Sequence, residues 1–134
     1  MQFLLETDIL IEYLNHTGSK PSILRQALAK GVCYTTMMNA FEVFRTATTK
    51  EEEQDVLNML TAVRVLGFNA RYAQTFAVTA RQAKIQLRDR DAIILGMAQA
   101  SKLVVITRKY YETYSQAAVV NVVRTPDEVP TTQE

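Results

Sequence analysis

The sequence predicts a single α/β domain in which a parallel sheet is covered by helices. Three observations carry that expectation. Phe3–Leu5, Val32–Thr35 and Leu103–Ile106 are short apolar runs with no turn residue inside them, the pattern of buried strands. Each is followed by a segment whose apolar residues recur at helical spacing. The two kinds of segment alternate along 134 residues, a length that holds one core, and such alternation builds parallel sheets.

Taken in order, the strand Phe3–Leu5 gives way at Asp8 to a helix. There Asp8, Glu12 and Asn15 share one face, and Ile9, Leu10, Tyr13 and Leu14 fill the other. Gly18, Ser19 and Pro21 make a turn, and a second helix runs through Ile23, Leu24, Ala27 and Leu28 to a stop at Gly31. After the strand Val32–Thr35, Thr36 caps a helix whose expected core stripe is Met37, Ala40, Phe41 and Phe44. Thr49 and Glu52 have capping-box spacing and open a helix through Val56, Leu57, Leu60 and Val63. The acids Glu51–Glu53 in its first turn complement the helix dipole and need no chemistry.

A long helix is expected from Asn69 to Leu87 and another from Asp91 to Ser101, with a break at Arg88–Arg90. In the latter, Ala92, Gly96 and Ala100 form a small-residue stripe suited to close packing against the sheet. The strand Leu103–Ile106, a short helix at Tyr110–Tyr114 and a last strand Val119–Val123 complete the domain, residues 1–124. Pro126 and Pro130 with polar neighbours mark 125–134 as a mobile tail.

Composition excludes several classes. Apolar residues are 48% and charged residues 22%, so neither a disordered nor a fibrous chain is indicated, and no run reaches the roughly 20 apolar residues of a membrane span. No basic leader precedes the first apolar run, and Cys33 is the only cysteine, which fits a reducing, cytoplasmic location. The net charge of +1 is silent about partners, but Arg81, Lys84, Arg88 and Arg90 lie close together. They form either a solvated helix face or a patch that meets phosphates.

The acids are more informative. Glu6 directly follows a strand, and Asp8 two residues on either caps the next helix or shares a site with it. Glu42 lies in the apolar helix MMNAFEVF, with Asn39 and Thr46 beside it as a polar stripe. Asp91 shares a face with Ile94, Leu95 and Ala98, so it needs a partner such as Arg88 or Arg90, a cation, or a proton. Glu112 follows the strand Leu103–Ile106 after Thr107 and is either exposed or part of the same cluster.

In a parallel sheet these positions fall near the carboxyl ends of the strands, where sites usually form. Converging carboxylates repel, and Mg²⁺ or Mn²⁺, hard cations that take oxygen ligands, relieve that repulsion. A metal so held serves phosphodiester hydrolysis without a protein nucleophile. Other chemistries lack parts. His16 stands alone, Cys33 has no positioned base, and there is neither a glycine-rich phosphate loop nor a Gly-x-Ser-x-Gly elbow. A phosphorelay receiver needs an Asp ending a central strand, and the midchain Asp55 falls in a helix.

The segments FLLETDILIEYL, TTMMNAFEVFR and RDRDAIILGMAQASKLVVITR, in that order, resemble the motifs of PIN domains, in particular VapC-type toxins of toxin–antitoxin pairs. The resemblance implies a three-layer α/β/α PIN-like fold and a Mg²⁺- or Mn²⁺-dependent endoribonuclease. It also implies a homodimer and an antitoxin that covers the site. Carried over by position, Glu6, Glu42 and Asp91 would be catalytic metal ligands, Glu112 a more distant fourth, and Asp8 and Thr107 supporting residues. Arg88, Arg90 and Lys109 would be candidates for RNA contact. Two positions depart from the motif: Glu6 stands where Asp is usual, and Lys109 where Asn or Asp is common. The alternative to an active nuclease is a PIN-like binding module with weakened catalysis, working through antitoxin or RNA contacts.

Overall fold

Phe3, Leu4 and Leu5 have no solvent exposure, because the strand they form is central in a parallel sheet and helices cover both its faces. The computed structural model describes residues 1–129. It contains the strands β1 (Gln2–Leu5), β2 (Val32–Thr36), β3 (Arg64–Leu66), β4 (Val104–Ile106) and β5 (Val122–Val123), all parallel, in the order β3-β2-β1-β4-β5. The chain winds outward from β1 through β2 to β3 and then crosses to β4 and β5. The order therefore reverses between β1 and β4, and the crevice beyond their carboxyl ends is where such folds place a site.

The helices are α1 (Thr7–Leu14), α2 (Ile23–Lys30), α3 (Met37–Thr46), α4 (Lys50–Leu60), α5 (Tyr72–Gln82), α6 (Asp89–Ser101) and α7 (Tyr111–Ala117). Alternation along β1 divides the core. Phe3 and Leu5 join Ile9, Leu24, Val43 and Met59 of the first four helices on one face. Leu4 joins Ile94, Leu95, Ala98, Tyr114 and Ala117 of α6 and α7 on the other. The expected three-layer α/β/α architecture is thus present.

The differences from expectation have local causes. On α3 the expected apolar stripe splits: Met37 and Phe41 are 51% and 55% exposed, while Ala40 and Phe44 keep to the core side with Asn39 and Val43. The polar face points inward because its groups find partners there, and Arg45 lies over the outward Phe41 ring. Val63 belongs to the approach to β3, an edge strand whose side chains are largely exposed and which therefore leaves no apolar run to read.

The long helix shortens to α5, and of the small-residue stripe of α6 Gly96 meets α5 while Ala100 is exposed. A Cβ on Gly96 would stand 2.8 Å from the Phe76 ring. Gly31 ends α2 with extended backbone; a Cβ there would come within 2.2 Å of the Met1 carbonyl oxygen. Close approach, not a left-handed turn, requires that glycine. Within the segment expected to be a mobile tail, Pro126–Glu128 forms a 3₁₀ turn with Pro126 buried and Asp127 paired to Lys30 at 2.7 Å. Residues 130–134 lie outside the described residues.

Candidate active site

Glu6 is the first residue past β1 and the N-cap of α1, its carboxylate accepting the Thr7 N–H at 2.7 Å. Its side chain is fully buried. A buried carboxylate needs hydrogen bonds and counter-charge, and three distant segments supply them. Asn39 of α3 donates through Nδ2 to Glu6 at 2.9 Å and to Thr7 at 2.9 Å. Asn39 is itself fixed by a reciprocal capping box with Thr36, the last residue of β2. Tyr114 of α7 donates its hydroxyl to Glu6, and the same oxygen lies 2.9 Å from Asp91.

The centre of the cluster is Arg90. Its guanidinium reaches Glu6 at 2.8 and 3.0 Å, Glu42 at 3.1 and 2.6 Å, and Asp91 at 2.8 Å. A further contact to the Tyr114 hydroxyl at 3.0 Å leaves none of its N–H groups idle. Arg90 is only 14% exposed, and it lies 4.9 Å from the centroid of the Tyr110 ring. Arg88, the N-cap of α6, forks onto Asp91 at 2.9 and 3.1 Å from a largely exposed position.

This arrangement decides the protonation states. Burial pushes the Glu42 carboxyl up, but hydrogen bonds from Arg90 and Thr7 outweigh it and hold the group below its ordinary range. Asp91 is likewise raised by burial and lowered more by Arg88, Arg90 and Tyr114. Burial and the neighbouring Glu6 charge push the Tyr114 hydroxyl far up, so it remains a donor. Three carboxylates face two guanidiniums, and among the described residues no buried side-chain polar atom lacks a partner.

Asp8 serves a neighbouring task. Its carboxylate accepts the Thr107 hydroxyl at 2.7 Å and the backbone N–H groups of Arg108 and Lys109 at 2.9 and 3.1 Å. It therefore clips the loop after β4 to the start of α1. It is not that helix's cap, a place Glu6 takes. Thr107 is buried, and its Oγ1 also accepts the Tyr110 N–H at 3.2 Å.

The structure brings Glu6, Glu42 and Asp91 together and sets Asp8 with Thr107 beside them. Two expectations change. Glu112 is exposed in the first turn of α7 and makes no hydrogen bond or ion pair with the cluster among the described residues. Two residues further, on the other side of the helix, Tyr114 takes the inward place instead, because a seven-residue helix presents one face to the sheet. Arg90, a candidate both for RNA contact and as a partner of Asp91, pairs with Asp91 and is turned inward by the three carboxylates. Arg88 and Lys109 remain at the surface, both near the Tyr110 ring. Sequence reading missed Tyr114 and Asn39 as site residues. For Asn39 the signal was present, since it shares the polar stripe of Glu42; for Tyr114 there was none.

The family model for the PIN domain matches residues 3–109. The chain belongs to the PIN domain family. Among solved structures, this PIN domain is similar to a toxin–antitoxin complex from Klebsiella pneumoniae, with 25% identity over 90% of this chain and 95% of that one, at a TM-score of 0.71. It is also similar to VapBC2 from Rickettsia felis bound to a DNA fragment from its promoter, with 18% identity, coverage of 92% and 98%, and a TM-score of 0.72. FitAcB from Neisseria gonorrhoeae shares 19% identity over 96% of this chain and all of that one, at a TM-score of 0.68. No curated protein matches the chain closely.

As a donor set, the three carboxylates of this PIN domain suit a hard divalent cation, since all three already converge on one positive group. As placed, they are spaced for a guanidinium. Their oxygens stand 2.6–3.1 Å from three different nitrogens, whereas Mg²⁺ takes oxygens at about 2.0–2.1 Å from a single point. Among the described residues no group of three acidic, His or Cys side chains is spaced around an ion-sized point. The donor chemistry of these residues fits a metal ion, while their spacing as placed fits Arg90.

Proposed function

We propose that this PIN domain is a Mg²⁺- or Mn²⁺-dependent endoribonuclease, the toxin of a toxin–antitoxin pair. One observation carries the reading: Glu6, Glu42 and Asp91, from three distant segments, converge on a single cation at the crevice between β1 and β4. Glu6, Glu42 and Asp91 would hold the metal. When bound, it supplies an acidified water and neutralises charge on the phosphate. The chain's own residues do the rest. Asn39 and Tyr114 fix the rotamer of Glu6, and Thr7 steadies Glu42. The Asp8–Thr107 clip holds Arg108 and Lys109 at the rim, where their exposed side chains can meet the RNA backbone.

The toxin–antitoxin assignment rests on the sequence motifs together with the likeness to the Klebsiella complex. It carries with it an antitoxin partner, a homodimer and a cytoplasmic setting. No helix among the described residues is long and apolar enough to cross a membrane.

Purified protein incubated with RNA and Mg²⁺ or Mn²⁺ should cleave, and chelator or Asp91→Asn should abolish cleavage. Cleavage indifferent to both would overturn the metal mechanism. A second reading, a binding module with weakened catalysis, is favoured by the seat of Arg90 among the carboxylates. RNA or antitoxin binding without cleavage under any metal condition would select it.

A further inference from the structure

We infer that Arg90 is a built-in counter-cation that closes the acidic site, and that Arg90 and a divalent metal ion occupy the three carboxylates in alternation. The inference rests on the metal-site reading above and adds a cost that metal must overcome. Arg90 meets Glu6, Glu42 and Asp91 with five hydrogen bonds and covers both oxygens of Glu6 and of Glu42. Those are the lone pairs a metal ion would need. The carboxylates cannot hold both cations at once without setting a divalent ion against a guanidinium a few ångströms away.

Charge balance favours exchange once metal is supplied. Three carboxylates against Arg90 and Arg88 leave one negative charge. A divalent ion in place of Arg90 brings the cluster to neutrality. Without metal, the guanidinium prevents the repulsion that three converging carboxylates would otherwise suffer.

The side chain also has somewhere to go. Arg90 lies in the first turn of α6, at the rim, and retains some exposure. The Tyr110 ring, 4.9 Å from its guanidinium, already borders Arg88 and Lys109 at the surface. A rotation about the long arginine stem carries the charge outward along that ring and leaves the backbone of α6 in place. Open carboxylates then exist only in the fraction of molecules with Arg90 displaced, and apparent metal affinity falls by that fraction.

Calorimetric titration of Mn²⁺ into the wild-type protein and into Arg90→Gln tests this directly, with circular dichroism confirming that both are folded. Arg90→Gln should bind Mn²⁺ about tenfold or more tightly than wild type, as removal of a competing closed state requires. Equal affinities would overturn the inference and leave the metal site standing. Absence of Mn²⁺ binding by both proteins would overturn the metal site and the inference together. If Arg90→Gln does not fold, the wild-type protein decides. On titration with Mg²⁺, the side-chain Nε–H resonance of Arg90 should shift and lose its protection from solvent exchange, in step with backbone shifts at Glu42 and Asp91. An unmoved Arg90 signal beside moving Glu42 and Asp91 signals would overturn the alternation, and no movement at any of the three would overturn the metal site as well.

Discussion

The Tyr114 hydroxyl donates to the Glu6 carboxylate across 108 residues of sequence, tying α7 to the end of β1. The same oxygen lies within hydrogen-bond distance of Asp91 and Arg90, and it holds the Glu6 oxygen that Asn39 leaves free. Tyr114→Phe keeps the ring packed in its apolar surroundings and removes only the hydroxyl. Glu6 then loses a donor in a fully buried site, which should cost about 1–3 kcal/mol of stability. Urea denaturation of the two proteins at neutral pH measures it. A difference within a few tenths of a kcal/mol would mean that Glu6 is satisfied without Tyr114.

Asp8 makes a separable prediction, because its contacts do not overlap with those of Arg90. It gathers one hydroxyl and two backbone N–H groups from the loop after β4. Asp8→Ala should leave the sheet intact and free that loop. Amide exchange at Arg108 and Lys109 should quicken by about tenfold or more, while exchange in β1 and β4 stays slow. Unchanged protection at Arg108 and Lys109 would show that the loop is held by something else, such as the Tyr110–Thr107 contact.

Much of the fold was legible because parallel strands buried on both faces leave continuous apolar runs, as at Phe3–Leu5. What escaped was local. β3 is an exposed edge strand and carries no such run. On α3 the apolar spacing places Met37 and Phe41 inward, yet Asn39 and Glu42 take the interior side and those two residues face out. Periodicity assigns polar side chains to solvent, and it does so wrongly wherever buried partners from distant segments await them. The same limit applies to the site. The acids Glu6, Glu42 and Asp91 announced themselves by standing in apolar contexts. Arg90 was legible only as a possible partner of Asp91, because nothing in RDRD shows that the fold also brings Glu6 and Glu42 to it.

Those carboxylates set an acid limit. Glu42 and Asp91 titrate lower in the fold than in the unfolded chain, whose values lie near 4.5 and 3.8. At pH values between the folded and unfolded pKa, the unfolded chain therefore binds more protons. The stability these groups contribute is complete above their unfolded values and is lost as pH falls through the folded ones. The free energy of unfolding should accordingly be flat near neutrality and fall steeply below about pH 4.5. In Arg90→Gln the principal charge-assisted bonds are gone. That protein should be less stable at pH 7 and show a shallower acid slope. A slope identical to wild type would place the acid sensitivity elsewhere, for instance at Glu52, whose carboxyl is lowered by hydrogen bonds from Thr48.

The one cysteine gives a check on the core itself. Cys33 lies in β2, next to β1, and is 2% exposed among Phe3, Leu24 and Ala27. Burial without a compensating positive group pushes its thiol up to about 11. The thiolate is the reactive form, so at pH 8 almost none is present, and reagents cannot reach the sulfur without opening the sheet. Reaction with a chromogenic disulfide at pH 8 should therefore be about a hundredfold or more slower in the native protein than in denaturant. The rate should rise in proportion to the unfolded fraction as urea is added. Prompt reaction in native buffer would show that β2 opens locally, next to the strand that delivers Glu6.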